Sequence, residues 1–203
     1  MEKLDFKVLM KPYWRPPVGS FQIIDVPALR FIMIDGEGDP NVAPAYVAAI
    51  GWLYTLSYAL KFASKAAGTD YAVALLEALW WADDMADFTM GRKDRWKWTA
   101  MIMQPDSITG AMFETAKVKG REKLGEPPAS LRLERFTEGL SVQTMYVGPY
   151  ADEGPTISRL HTEFLPQKGL VEAGLHHEIY VGDPRRSAPE KLKTIIRQPV
   201  RRR

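Results

Sequence analysis

Apolar and polar positions along this chain fall into two similar series. Phe21–Val26 and Leu29–Ile34 are short β-prone runs. After Asp35-Gly36-Glu37-Gly38-Asp39-Pro40-Asn41 breaks the second of them, Ile50, Leu53, Leu56 and Leu60 recur at spacings of three and four. That period predicts a helix with one inward face, capped by Asp39 or Asn41, reaching about Ala67 and stopped by Gly68. Tyr71–Trp81 and Trp96–Met103 then read as strands on either side of an acidic turn at Asp83, Asp84, Asp87 and Gly91. The second series repeats the order. Leu131–Thr137 and Leu140–Val147 are expected to form a hairpin around Glu138-Gly139. Pro155–Phe164 is expected to be a shorter helix, and His176–Val181 and Leu192–Val200 closing strands. The pattern predicts an α+β fold of tandem strand-helix-strand-strand repeats. They would be related by a pseudo-two-fold axis and share a central groove. Half-repeat one covers about 20–105 and half-repeat two about 129–200. The polar helix of about 106–128 should bridge them in a single domain, 1–203.

The two series also share chemistry. Glu77 sits in the apolar run Leu76-Glu77-Ala78-Leu79-Trp80-Trp81, and Glu178 in His177-Glu178-Ile179-Tyr180-Val181. Each is followed by a strand ending in Gln-Pro, at Gln104-Pro105 and Gln198-Pro199. Alternation along a strand puts Glu178 beside Tyr180, and Glu77 beside Leu79 and Trp81. A carboxylate against aromatic walls loses hydration and gains basicity. Arg197, on the adjoining strand, would pair with Glu178 and oppose that shift. Trp80 and Trp81 must point to opposite faces, so one of them is free to line a groove. Trp98 and Tyr146 are further aromatic candidates, the latter just before Gly148-Pro149-Tyr150.

Composition narrows the classes. Charged residues make up 26% and the formal net charge is +2, too even a balance for a nucleic-acid binder. There is no cysteine, which removes thiol and zinc–thiolate chemistry and fits a cytoplasmic location. The charged start Met1-Glu2-Lys3-Leu4-Asp5 is not a secretory signal. Val42–Leu60 lacks charge, but its small residues and its isolation fit a buried helix better than a membrane span. His176-His177-Glu178 has metal-ligand composition, yet strand alternation separates the two rings, so no metal is expected. Neither a dinucleotide fingerprint nor a nucleophile elbow is present.

The block His177-Glu178-Ile179-Tyr180-Val181-Gly182-Asp183-Pro184 through Thr194-Ile195-Ile196-Arg197-Gln198-Pro199-Val200 resembles the C-terminal signature of the GyrI-like small-molecule-binding proteins. Ile34–Pro40, Leu76–Trp81, Trp96-Lys97-Trp98 and Gln104-Pro105-Asp106 are similar to that family's N-terminal half. Ala78 departs from the Gly common there. The resemblance is to the stand-alone branch, which lacks a DNA-binding domain. It implies a groove for a flat aromatic or cationic small molecule and no cofactor. For this branch it also implies cyclopropanoid hydrolysis: water added to a strained, electrophilic aromatic compound as detoxification. On that resemblance Glu178 would orient or deprotonate the water, and Tyr146 would hydrogen-bond near the reacting group. Trp81, Tyr180 and Trp98 would stack the ring system, with Glu77 and Arg197 at the groove. The alternative is a non-catalytic protein that sequesters planar or cationic drugs. The family name alone suggests a gyrase-interacting modulator. Open strand edges leave room for a homodimer.

Overall fold

The computed structural model describes residues 2–84, 87 and 90–203. Part of the acidic turn, Met85, Ala86, Phe88 and Thr89, lies outside them. The chain forms two compact units, Met1–Val8 with Leu29–Phe136, and Leu9–Ala28 with Thr137–Arg203. Both are α+β.

In the first unit, β1 (Glu2–Leu4) pairs in parallel with β4 (Thr69–Tyr71), preceding the short helix α1 (Phe6–Leu9). The main sheet is antiparallel. β3 (Leu29–Glu37) lies between β7 (Arg132–Phe136) and β6 (Lys97–Gln104), and β5 (Leu76–Trp81) pairs with β6. Helix α3 (Pro44–Ala66) covers one face, burying Trp52, Leu53, Leu56 and Leu60. This is the stripe that the period predicts. The cap differs from expectation. Ala43 is the N-cap with no side-chain bond, Pro44 opens the helix, and Asp39 instead accepts from the Asn41 amide in a local turn. The helix ends before Gly68, whose φ of +106° suits only glycine. Helix α4 (Gly110–Leu124) is capped by Thr109 and docks on α3 in this unit, rather than bridging the halves. A Cβ on Gly120 would lie 2.6 Å from the Trp52 ring, so the close approach of the two helices requires glycine there.

The second unit repeats the plan with a more broken helix. β8 (Gly139–Val147) lies between β2 (Gln22–Val26) and β11 (Lys193–Arg202), and β10 (His176–Tyr180) pairs with β11. β11 does not stop at Gln198-Pro199. Its pairing with β8 ends at Pro199, which has no N–H to give, and β9 (Leu170–Glu172) takes over from Val200. Helix α5 (Gly154–Arg159) runs into a π-helical turn, Leu160–Phe164, and a last turn, α6 (Leu165–Gln167). Leu160 and Leu165 pack with Val142, Ile196 and Val200. The arm contributes α2 (Lys11–Trp14), with Trp14 buried.

One expectation fails outright. β7 and β8 are joined by a two-residue link but are not a hairpin: β7 pairs with β3 and β8 pairs with β2. Likewise β2 precedes β3 in sequence yet pairs with β8. Sequence neighbours are thus shared out between the units, and periodicity cannot show that, because it marks strands and not their partners.

No helix among the described residues is long and apolar enough to cross a membrane.

Candidate functional site

Directly opposed residues of an antiparallel ladder share a face. Glu178 stands opposite Ile196, and Tyr180 opposite Thr194, which stands opposite Tyr146. Ile196 belongs to the core under the α5–α6 helix, so Glu178 points to the helix-covered face of its sheet. Its side chain is 15% exposed.

Both carboxylate oxygens of Glu178 are engaged. His176 Nε2 lies 3.3 Å from Oε1, and the Tyr180 hydroxyl donates to Oε2 at 2.8 Å. His176 and Tyr180 are two residues either side on the same strand, so alternation alone brings the three together. Burial pushes the Glu178 carboxyl up, but the bonds from His176 and Tyr180 outweigh it and hold it below the ordinary glutamate range. It is therefore ionised at neutral pH. The Tyr180 ring meets Tyr150 edge-on, centroids 5.6 Å apart. Burial, and then the charges of Glu153, Glu178 and Asp183, push the Tyr150 phenol up to about 12. Tyr146 is raised as well, by burial first and by Asp152 and Glu153 after it. Both phenols thus stay protonated and donate rather than accept protons. Tyr146 donates to the Pro149 carbonyl at 3.1 Å, folded over Gly148, where a Cβ would sit 2.5 Å from its oxygen.

Arg197 does not pair with Glu178. It stands opposite His177, one position out of phase, and points to the other face of the sheet. There it is buried in a separate network. Nη1 donates to Glu138 at 2.7 Å, Nε to Gln143 at 3.1 Å, and Nη2 to the Tyr13 carbonyl at 2.9 Å. His177 Nδ1 is 2.8 Å from the second Glu138 oxygen, and Gln143 donates to the Pro12 carbonyl. Burial opposes the Glu138 charge, but His177 and Arg197 hold its carboxyl at about 2. The network fastens the arm to the sheet. The two histidines sit on opposite faces, as alternation requires.

The first-unit candidates lie differently. Trp98 is 1% exposed, and its ring meets Tyr46 of α3 edge-on at 4.9 Å. Trp80, opposite Trp98, also contacts Tyr46. Trp98 and Trp80 thus lie on the helix-covered face. Glu77 is out of phase with them and shares the other face with Leu79 and half-buried Trp81. Gln104 donates to Ser57 of α3. Counted from the paired glutamines, Leu76 occupies the register position of Glu178, opposite Ile102 as Glu178 is opposite Ile196. The apparent equivalence of Glu77 and Glu178 is therefore off by one residue, which exchanges the faces.

Sequence reasoning did not single out Glu153, Tyr150, His176 or Thr194 as members of one cluster. For Glu153 a signal exists, an acid inside the break Gly148-Pro149-Tyr150-Ala151-Asp152-Glu153-Gly154. For Thr194 there is none. Among the described residues no group of three or more His, Cys, Asp or Glu is arranged to hold a metal ion.

Residues 20–201 match the model of the GyrI-like small molecule binding domain. No curated protein matches the chain. Among solved structures it is similar to an uncharacterized conserved protein from Listeria innocua, with 36% identity and a TM-score of 0.87 over 98% of this chain and 100% of that one. A protein from Listeria innocua described as a hydrolase shares 35% identity at a TM-score of 0.84 over the same fractions. The C-terminal domain of EcmrR, 9% identical at a TM-score of 0.60 over 91% of this chain and 98% of that one, shares the fold.

Proposed function

Since the chain belongs to the GyrI-like small-molecule-binding family, we propose that it is a hydrolase that adds water to strained, electrophilic aromatic small molecules, of which cyclopropanoids are the type. The observation that carries this reading is Glu178: ionised, largely shielded from solvent, and fixed by Tyr180 and His176. The 35% identity to a protein described as a hydrolase supports it.

The chemistry required is modest. A water held by the carboxylate gives a proton to Glu178 as its oxygen bonds to a ring carbon of the cyclopropane. The strained C–C bond breaks, and its electron pair moves into the conjugated carbonyl, which becomes a phenolate and takes a proton from solvent. Ring strain drives the step. A carboxylate of lowered basicity therefore serves chiefly by orientation, holding the water in line for attack. Tyr180 and Tyr150 offer flat faces to an aromatic substrate. Tyr146, whose hydroxyl donates to the Pro149 carbonyl, would turn that O–H to the substrate carbonyl in the role proposed for it.

The second reading is sequestration of a planar or cationic drug. Glu178 among phenol rings is also a counter-charge for a cation. Incubation of a cyclopropyl-indole compound with the protein separates the two. The hydrolase yields many equivalents of product heavier by one water, and Glu178→Gln stops this while neutral aromatic ligands still bind. Bound but unchanged compound would leave sequestration standing and end the hydrolase reading.

A further inference from the structure

Helix α3 has two unlike faces. Trp52, Leu53, Leu56 and Leu60 are buried, and the opposite row is Val47, Gly51, Tyr54, Tyr58 and Phe62, at spacings of three and four. A surface helix normally carries its charges on that outer row. α4, in the same unit, does so with Glu114, Lys119, Arg121 and Glu122, all exposed. α3 has no charged residue before Lys61. Val47 is 67% exposed, Tyr58 50% and Phe62 61%, and the Tyr54 and Tyr58 rings stack with centroids 6.5 Å apart. An apolar, aromatic row of this length on the outside of a helix marks a contact surface.

Gly51 is the second observation. Glycine inside a helix lowers stability relative to alanine, so it calls for a neighbour that a side chain would displace. Gly120 in α4 has one, the Trp52 ring. A Cβ on Gly51 would meet nothing within 4 Å among the described residues, so the packing of the chain on itself does not require glycine there. A neighbour from outside the chain does.

We propose that the outer row of α3 is a self-association face, on which a second copy of this chain lays its own α3 antiparallel. The inference is independent of the hydrolase reading. A two-fold axis between Tyr54 and Thr55, at the middle of the helix, sets Val47 opposite Phe62 of the second copy and Gly51 opposite Tyr58 of that copy. The large ring fills the space that the glycine leaves, and the helix axes can approach closely. Charge selects the direction. Lys61 and Lys65 lie at the end of α3, and Glu37 and Asp39 precede its start. Antiparallel packing brings unlike ends and unlike helix dipoles together, whereas parallel packing sets like against like. The area sets the strength. An aromatic side chain carries about 150–250 Å², part of it already covered here, so the face falls at the lower end of the roughly 600–1,000 Å² per partner of a specific interface. The dimer is therefore reversible and of micromolar strength.

The test is sedimentation of the full chain across the micromolar range, where the wild type should pass from monomer to dimer. Tyr58→Glu puts a charge near the centre of the row, and Gly51→Leu fills the gap. Each should raise the dissociation constant by about 30-fold or more. Gly51→Leu also separates the contact from folding, because leucine favours helix. Its melting temperature, taken on dilute monomer, should equal or exceed that of the wild type. The chain has no cysteine, so single substitutions report the direction. Val47→Cys and Phe62→Cys proteins should cross-link under mild oxidation when mixed, and neither should do so alone, since like positions lie roughly 22 Å apart across the axis. A wild type that is monomeric throughout the range overturns the proposal. So does a dimer that survives both Tyr58→Glu and Gly51→Leu, or one in which Val47→Cys cross-links to itself. A monomer that instead floats with anionic lipid vesicles gives the face to a membrane surface and likewise overturns it.

Discussion

Under α3 in the first unit, the sheet presents Ala78, Trp80, Trp98, Ala100 and Ile102, a face filled by apolar packing. Under the corresponding helix of the second unit the sheet presents Glu178, Tyr180, Thr194 and Tyr146 among its core residues. The covers differ too. α3 is an unbroken helix of 23 residues, whereas six residues of α5 give way to a five-residue π-helical turn. π-turns are rare, and they gather at functional sites because they distort a helix locally. One plan thus carries a packed core in one unit and a polar cluster in the other. The faces turned away from the helices differ in the opposite sense. In the second unit that face holds the Glu138–His177–Arg197 network. In the first it carries Glu77 with Leu79 and Trp81. A carboxylate inside an apolar strand does not by itself mark a working group; the face it occupies decides.

The largest expected effect falls on Glu178. Glu178→Gln should lower turnover by about 1,000-fold or more, within the range for loss of a general base, with ligand affinity retained in direct binding measurements. An unaffected rate would erase the chemical contrast between the units. Next comes the buried network. Glu138→Ala should destabilise the second unit by about 3–5 kcal/mol in denaturant titrations, because it strands the Arg197 charge. A loss below about 1 kcal/mol would show that Arg197 finds solvent or another partner.

The same network sets an acid limit. The Glu138 carboxyl is at about 2 in the folded protein, against 4.5 ordinarily. Its folded value is depressed, so its contribution is fully present above the ordinary value and is lost as pH falls through about 2. The size is on the order of 3 kcal/mol. Melting temperature recorded against pH should fall across this window in the wild type, and more shallowly in Glu138→Gln.

A smaller effect probes the apolar face. A Cβ on Gly36 would stand 2.3 Å from the Trp98 ring, which lies across it. Gly36→Ala should cost about 1–3 kcal/mol by displacing that indole. Smallest is Thr109→Ala, which removes the side-chain cap on Met112 N and should cost about 1 kcal/mol, read from the midpoint of thermal unfolding.

The sequence by itself determined the kinds and order of the elements. The period of three and four fixed the inward stripe of α3, alternation placed Tyr180 with Glu178 and parted His176 from His177, and the family signature fixed the fold. These are properties of short stretches, which a chain carries wherever it goes. The tertiary structure decided the rest. Strand partners came from it, since β2 and β7 each pair away from their sequence neighbour. So did register: a shift of one residue put Glu77 and Glu178 on different faces, and one residue out of phase parted Arg197 from Glu178. Thr194 and Tyr146 joined the Glu178 face from positions 16 and 32 residues away. Such meetings depend on how turns and ladders align distant strands, and a local pattern holds no record of that.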